Sequence, residues 1–348
     1  MGKTTQLCRV IGELSTFPYV RGEHRAAREL AEEALSLAQQ IDDALLEALG
    51  HWHLGFILFA LGDFITAHTH LQQVISFYRP QEHHRPFVFL RGSDAGVSAL
   101  TYDACCLWCL GYPNQALKRS QEALALAREL DHAFTLADVL CFGGCLFNQL
   151  RQDVQALKEN AEDLMRLSKR MDFSSFWGTG TCYWGETLVK LERVEEGIAQ
   201  IRQGMEIRQS VGARCYLTGI LGALAEAQAK AGKPEDGLVT LSEALALVEE
   251  TDERYYEAEL LRLHGELLLM QGNESSAEAS LRKAIEVARR KSAKSWELRA
   301  AIDLARLWQK QGRSGEVRAM LSDIYGWFTE GFDTPDLREA KTLLEGIS

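Results

Sequence analysis

The chain has 348 residues, a formal net charge of −11, a hydrophobic fraction of 46% and a charged fraction of 25%. Because basic residues alternate with acidic ones, no basic stripe is available for nucleic acid or an anionic membrane. No apolar run approaches the roughly 20 residues of a membrane span, and no signal-peptide pattern opens the chain. Eight irregularly spaced cysteines fit a reducing compartment, so we expect a cytoplasmic protein.

One pattern of small and large apolar residues repeats along the chain. Around the turn at Gly272, Gly265 and Ala277 allow two antiparallel helices to approach closely. Leu268 and Leu281 fill the space on either side of them. The turn position recurs about every 40 residues, at Gly22, Gly62, Gly111, Arg151, Glu192, Gly232, Gly272 and Gly312. The spacing resembles the tetratricopeptide repeat, whose unit of about 34 residues is about six residues shorter.

The repeat predicts an all-α fold in which residues 1–348 form a single right-handed superhelical solenoid of eight helix pairs and a C-terminal capping helix. The helix pairs are predicted at 4–40, 43–78, 97–130, 133–170, 174–211, 216–250, 254–292 and 296–326, and the capping helix at 335–345.

The first pair has two unusual features. Because proline removes a backbone donor, Pro18 predicts a kink or an early stop near Phe17. No capping helix precedes the pair, although Leu7, Val10, Ile11 and Leu14 offer an apolar face. We therefore expect either a further part of a longer protein at this end or self-association through the first helix.

Residues 79–96 are the one irregular connection, and their prolines and glycines predict a loop. Such an insertion is either a longer connector or a functional loop carried by the scaffold.

Near the C-terminus, Thr334, Pro335 and Asp336 form a favourable helix start, with Thr334 as the N-cap. Trp327 and Phe332, together with Phe328 between them, are expected to pack beneath the capping helix.

In a tetratricopeptide-type superhelix, the first helix of each pair lines the concave surface. This frame predicts a protein- or peptide-binding groove that is aromatic in its N-terminal half and charged in its C-terminal half. Its residues are Trp52, Phe56, Phe59, Tyr102, Trp108, Phe142, Asn148, Tyr183, Glu186, Glu226, Arg262, Glu266 and Arg306. The competing interpretation is that tight curvature buries these side chains between repeats.

A second hypothesis is a small-molecule sensor with one pocket, closed by residues 79–96 rather than continuous across four or more units. The enclosing residues would be Trp52, Phe56, Tyr102, Trp108, Phe142 and Tyr183.

Catalysis, metal binding and cofactor binding have no clear signature. No HExxH motif, Ser-His-Asp order or glycine-rich strand–helix turn occurs. The cysteines near residues 105–109 and 141–145 could offer thiolates to zinc, but buried cysteine is the simpler interpretation. Redox sensing by Cys105, Cys145 or Cys182 is a further hypothesis. We expect no enzyme activity and no cofactor.

Four stretches carry a family resemblance, namely 107–130, 195–205, 256–269 and, most specifically, Tyr325–Asp336. They are similar to the C-terminal helical-repeat region of bacterial signalling proteins that contain a STAND-type ATPase module. A class III adenylate/guanylate cyclase domain often precedes that module. The resemblance implies a sensory or partner-binding array that regulates an upstream ATPase or cyclase domain.

Overall fold

The computed structural model describes residues 3–346, and this part of the chain contains 18 helices and no strand. The predicted all-α solenoid is therefore confirmed. The helices are α1 Lys3–Val20, α2 His24–Gln40, α3 Ala44–Ala60, α4 Phe64–Phe77, α5 Pro80–Arg91, α6 Ala95–Leu110, α7 Pro113–Glu129, α8 Ala133–Leu150, α9 Val154–Met171, α10 Ser174–Lys190, α11 Val194–Ser210, α12 Leu217–Lys230, α13 Pro234–Thr251, α14 Glu257–Met270, α15 Glu274–Arg290, α16 Lys294–Lys310, α17 Ser314–Trp327 and α18 Pro335–Glu345.

Eight antiparallel pairs form units one to eight, which are α1–α2, α3–α4, α6–α7, α8–α9, α10–α11, α12–α13, α14–α15 and α16–α17. The small residues of the repeat set the distance within a pair. A Cβ atom on Gly265 would lie 2.8 Å from Cγ of Leu281, so only glycine allows this approach. Gly272 turns the chain with a φ of 76°, a backbone conformation that other residues rarely adopt.

The predicted loop at 79–96 is wrong, because α5 occupies most of it. Pro80 stands in the first turn, where a missing N–H costs nothing, and Gly92 ends the helix with a φ of 80°. Phe87 is fully buried and Leu90 is 8% exposed. Apolar burial of this face therefore outweighs the helix-breaking effect of the internal Pro86.

The first helix also differs from expectation. Helix α1 continues through Pro18 to Val20, so the predicted early stop near Phe17 does not occur. The carbonyls of Phe17 and Pro18 still accept hydrogen bonds from Arg21 and Glu23, at 3.3 and 2.8 Å.

At the other end, Thr334 precedes α18 without a side-chain hydrogen bond to it, so the predicted side-chain cap is absent. Phe328 shares a core with the capping helix, as expected. In contrast, the Trp327 ring lies against Tyr112 of unit three with centroids 5.6 Å apart, and Phe332 is 47% exposed.

Backbone hydrogen bonds join units that are far apart in sequence. The carbonyl of Val20 in unit one accepts from the N–H groups of Arg214 and the next residue, at 2.8 and 3.2 Å, just before unit six. The carbonyl of Ala60 in unit two accepts in the same way from Arg254 and the next residue, at 2.8 and 3.1 Å, just before unit seven. One turn of the superhelix therefore takes five units, and successive turns are in contact.

Aromatic side chains fill the axis between these turns. The ring pairs are Tyr19–Tyr216, Phe59–Tyr255 and Trp108–Trp296, with centroids 6.2, 5.5 and 4.7 Å apart. The concave side of the solenoid is thus largely closed into a second core instead of forming an open groove.

Among the described residues, α8 alone is long and apolar enough to span a membrane by length and composition. Within it, 78% of the apolar window is buried inside the fold, as in the core helix of a globular domain.

Loss of an axial aromatic side chain should destabilise the whole solenoid. We expect Phe59→Ala to lower the free energy of unfolding by about 3–5 kcal/mol, because the Phe59 side chain is fully buried between two superhelical turns. Urea unfolding followed by circular dichroism measures the change. The control is Phe89→Ala in α5, where the ring is 76% exposed, and equal effects of the two variants would contradict the axial core.

Candidate functional site

The structure buries most of the predicted groove residues. Those no more than 9% exposed are Trp52, Phe56, Phe59, Tyr102, Trp108, Asn148, Tyr183, Glu186 and Arg262. Phe142 and Glu226 are half-buried, whereas Glu266 and Arg306 are exposed. The expected open groove is therefore wrong over most of its length, because five units complete a turn and bring the concave faces together.

Five of the predicted aromatic residues nevertheless meet around one cavity of about 410 Å³, which we call the axial pocket. It lies between units one to six. Its aromatic wall consists of Tyr19, Trp52, Phe56, Tyr102, Phe134, Phe142, Phe173, Phe176, Tyr183 and Tyr216. A cavity of this size and composition is typical of a small-molecule site.

The first helices of units two to five supply most of this wall. Trp52 and Phe56 stand one turn apart on α3, with ring centroids 4.5 Å apart. In α8, residues Leu140–Leu146 form a π-helical segment that carries Phe142. The Phe142 ring lies between Tyr102 and Tyr216, at 5.1 and 5.0 Å. Such π segments occur frequently at functional sites, and no residue pattern in the sequence indicated this one.

The axial pocket opens to solvent near the starts of α8 and α10. Phe134 is 39% exposed, and its ring lies 5.3 Å from that of Phe176. Ser174 and Ser175, which also line the pocket, are exposed. A ligand could therefore enter between these two helices.

Arg91, the last residue of α5, is a polar side chain of the axial pocket that the sequence did not predict. Its guanidinium carbon lies 3.6 Å from the Trp52 ring centroid. Its Nη1 atom is buried without a hydrogen-bond partner among the described residues. Burial lowers the pKa of Arg91, although Asp138 and Glu13 act in the opposite direction. Sequence analysis did not identify Arg91 because residues 79–96 do not follow the repeat, so the repeat frame assigns no helix face to them.

Arg208 and Asp138 are the other charged side chains of the axial pocket. Arg208 is 4% exposed and donates to the Thr179 hydroxyl and the Cys215 carbonyl, while its Nε atom has no partner in the described chain. Asp138 accepts a hydrogen bond of 2.8 Å from Ser98. Burial raises the pKa of Asp138, although Arg91 opposes the shift.

The charged residues predicted for the C-terminal half pair with one another. Arg262 contacts Asp303 at 2.6 Å and Glu266 at 2.9 Å. Arg306 contacts Asp303 at 2.7 Å and also pairs with Glu339. These side chains therefore take part in ion pairs within the chain, while Glu266 and Arg306 stay exposed to solvent.

A smaller buried network surrounds Glu186. Its carboxylate accepts a hydrogen bond of 2.7 Å from Gln149, and Lys190 pairs with Glu226 at 2.6 Å. Burial raises the pKa of Glu186 to about 7, although the charge of Lys190 opposes the shift.

Besides the charged residues described above, three predicted residues lie away from the axial pocket. Phe59 belongs to the axial core, and Trp108 packs on Trp296 and beneath the guanidinium of Arg299. The Asn148 amide donates to the Gly144 carbonyl at 2.8 Å.

All eight cysteines are buried and free of disulfides. Burial raises the pKa values of the Cys105 and Cys145 thiols, and that of Cys182 to about 12. Thiolates are the reactive form, so these environments disfavour redox sensing. In the part of the chain that the structure describes, no group of three or more His, Cys, Asp or Glu side chains is arranged to hold a metal ion.

Comparison with known proteins agrees with this architecture. A family model described as tetratricopeptide repeat matches residues 216–290. An uncharacterized protein of Rhizobium meliloti (strain 1021) is 27% identical to this chain over 223 residues. This match covers 64% of the chain and 22% of the relative, so the chain spans less than a quarter of that protein's length.

Solved structures share the fold at low sequence identity. A Rap protein complexed with Competence and Sporulation Factor is similar with a TM-score of 0.64 and 15% identity, covering 81% of this chain and 74% of that one. Aspartyl phosphate phosphatase F from Bacillus subtilis has a TM-score of 0.50 and 11% identity, covering 93% and 94%.

The stability of the Glu186 network should depend on pH. Because the pKa of Glu186 is raised in the folded protein, its contribution to stability is complete below about pH 4.5 and is lost as the pH rises to about 7. Glu186→Gln should therefore flatten the decrease of Tm between these pH values. The control is Glu243→Gln at an exposed position of α13, and identical pH profiles for both variants would refute the assignment.

The helical pairs and the similar structures together show a helical-repeat solenoid fold, and residues 216–290 of it match the tetratricopeptide repeat.

Proposed function

We propose that the chain is a non-catalytic sensor scaffold that binds a small, largely apolar ligand in the axial pocket. The observation that carries this proposal is the closure of the concave side around one aromatic cavity. It supports the small-molecule hypothesis over a continuous peptide groove. From the inserted segment 79–96, whose closure of the site was predicted, Arg91 of helix α5 lines this cavity.

The sensor would act within a larger protein. The resemblance to the repeat regions of STAND-type ATPase and cyclase proteins supports a regulatory role beside such a domain. The matched relative from Rhizobium meliloti is more than four times as long as the part that matches this chain. This length supports the proposal that the repeats act within a larger protein. Ligand in the axial pocket would bind side chains from units one to six at once, and so would couple occupancy to the contact between superhelical turns. We propose a cytoplasmic location for this protein.

Binding of a neutral apolar dye tests the proposal. We expect N-phenyl-1-naphthylamine to bind the purified chain saturably with one site per chain, and to raise its Tm, because ligand binding stabilises the folded state. Ser175→Trp places an indole at the exposed mouth of the axial pocket and should weaken binding about tenfold or more.

The matched control is Ser242→Trp, an equally exposed serine on α13, which should bind the dye like the unmodified chain. Non-saturable binding, or equal affinities of the two variants, would contradict a ligand site in the axial pocket.

A second candidate function is self-association through α1. Leu7, Val10, Leu14 and Phe17 follow one face of this helix at helical spacing and are 51–64% exposed. A contiguous apolar face of this kind usually marks an interaction surface. We propose that it binds the same face of a second chain.

Sedimentation of the protein at micromolar concentration tests self-association. We expect a dimer that Leu14→Glu converts to a monomer, because the new carboxylate would be buried in an apolar interface. Val239→Glu is the control, since Val239 is 60% exposed but lies on α13. A strictly monomeric unmodified chain would contradict this second function.

A further inference from the structure

We infer that the ligand of the axial pocket carries a carboxylate on its apolar body, and that Arg91 binds this carboxylate. The inference rests on the proposed function and adds the chemical class of the ligand. Its basis is an excess of unpaired donors, and two guanidinium groups without ion pairs, in an otherwise apolar cavity.

The lining of the axial pocket contains hydrogen-bond donors without acceptors. Three side chains that line the axial pocket have a buried nitrogen without a hydrogen-bond partner in the described chain, and these nitrogens are Nε1 of Trp52, Nη1 of Arg91 and Nε of Arg208. All three are N–H groups, so none can satisfy another. Burying an unpaired donor costs free energy, and natural proteins tolerate it mostly where function requires it. A ligand that complements them must be an acceptor.

The charged side chains of the axial pocket also favour an anionic ligand. Two guanidinium groups and one carboxylate, that of Asp138, line the axial pocket. Glu13 and Asp94 act on the charge of Arg91 from outside this lining, without an ion pair to it. Neither arginine forms an ion pair with any side chain among the described residues, in contrast to the paired arginines of units seven and eight. A buried guanidinium without a directly contacting counterion is unfavourable, and a monoanionic ligand would supply that contact.

The geometry favours Arg91 as the anchor. One face of its planar guanidinium lies against the Trp52 ring at 3.6 Å, and this stacking fixes the plane of the group. A guanidinium held in this way offers two parallel N–H groups along an edge, which match the two oxygens of a carboxylate. Arg208 already uses Nη1 and Nη2 on Thr179 and Cys215, so it contributes charge and the N–H of its unpaired Nε atom.

The aromatic wall determines the rest of the ligand. Because the lining away from these charged groups is mainly aromatic, a ligand with several charges would lose hydration without finding partners. An apolar or aromatic body with a single carboxylate satisfies both parts of the cavity.

Competition against N-phenyl-1-naphthylamine in the full chain tests the inference with three ligands of one shape. These are 2-naphthoate, 2-naphthylmethanol and 2-naphthylmethylammonium. We expect the carboxylate to bind about 10- to 100-fold more tightly than the alcohol, and the ammonium to bind most weakly. Arg91→Gln should remove most of this preference while the neutral dye still binds.

Two further variants make the test specific. Arg85→Gln removes an exposed charge from the same helix and should leave the preference unchanged. Arg91→Lys keeps the charge but loses the planar pair of donors, and should retain only part of the preference. If Arg91→Gln does not fold, the ranking of the three ligands by the unmodified chain decides the matter.

The outcomes separate the inference from the proposed function. Equal binding of carboxylate and alcohol, or tightest binding of the ammonium, would overturn the carboxylate assignment and leave the sensor proposal standing. An unchanged preference in Arg91→Gln would overturn the role of Arg91. Failure of the dye and of all three ligands to bind would overturn both proposals.

Discussion

The contact between successive superhelical turns is the constraint on which the rest of this structure depends. Each junction is a backbone carbonyl at the end of one first helix that accepts hydrogen bonds from the loop before another, five units later. With turns this close, most of the predicted groove residues on the concave side are buried. The concave side becomes largely a core, and the axial pocket lies at the end of the axis near α8 and α10.

The fold could be predicted from the sequence because the residues that determine helix packing lie within each repeat. Gly265 facing Leu281 illustrates this, since the glycine is required by the close approach of two helices within one unit. Such contacts are local and periodic. The number of units per superhelical turn is different, because it depends on the small rotations between neighbouring units added over several units. No single residue determines it.

The candidate site was therefore predictable only in part. Trp52, Phe56, Tyr102, Phe142 and Tyr183 were recognised from their helix positions, and they do meet. Arg91 was not recognised, because it lies in the inserted helix α5, which does not follow the repeat. The prolines of this helix also predicted a loop. Glu266 and Arg306 are exposed, as the repeat frame predicts, but that frame gives only the side of a helix and not the ion-pair partners found there.

The five-unit stacking also limits how such an array can change length. In an open solenoid a unit can be added or deleted with little effect elsewhere, since each contacts only its neighbours. Here, removing one unit between Val20 and Arg214 would bring a different loop opposite that carbonyl and shift every later junction. The geometry consequently disfavours internal gain or loss of whole repeats, and evolution of the array should favour substitution and loop insertion instead.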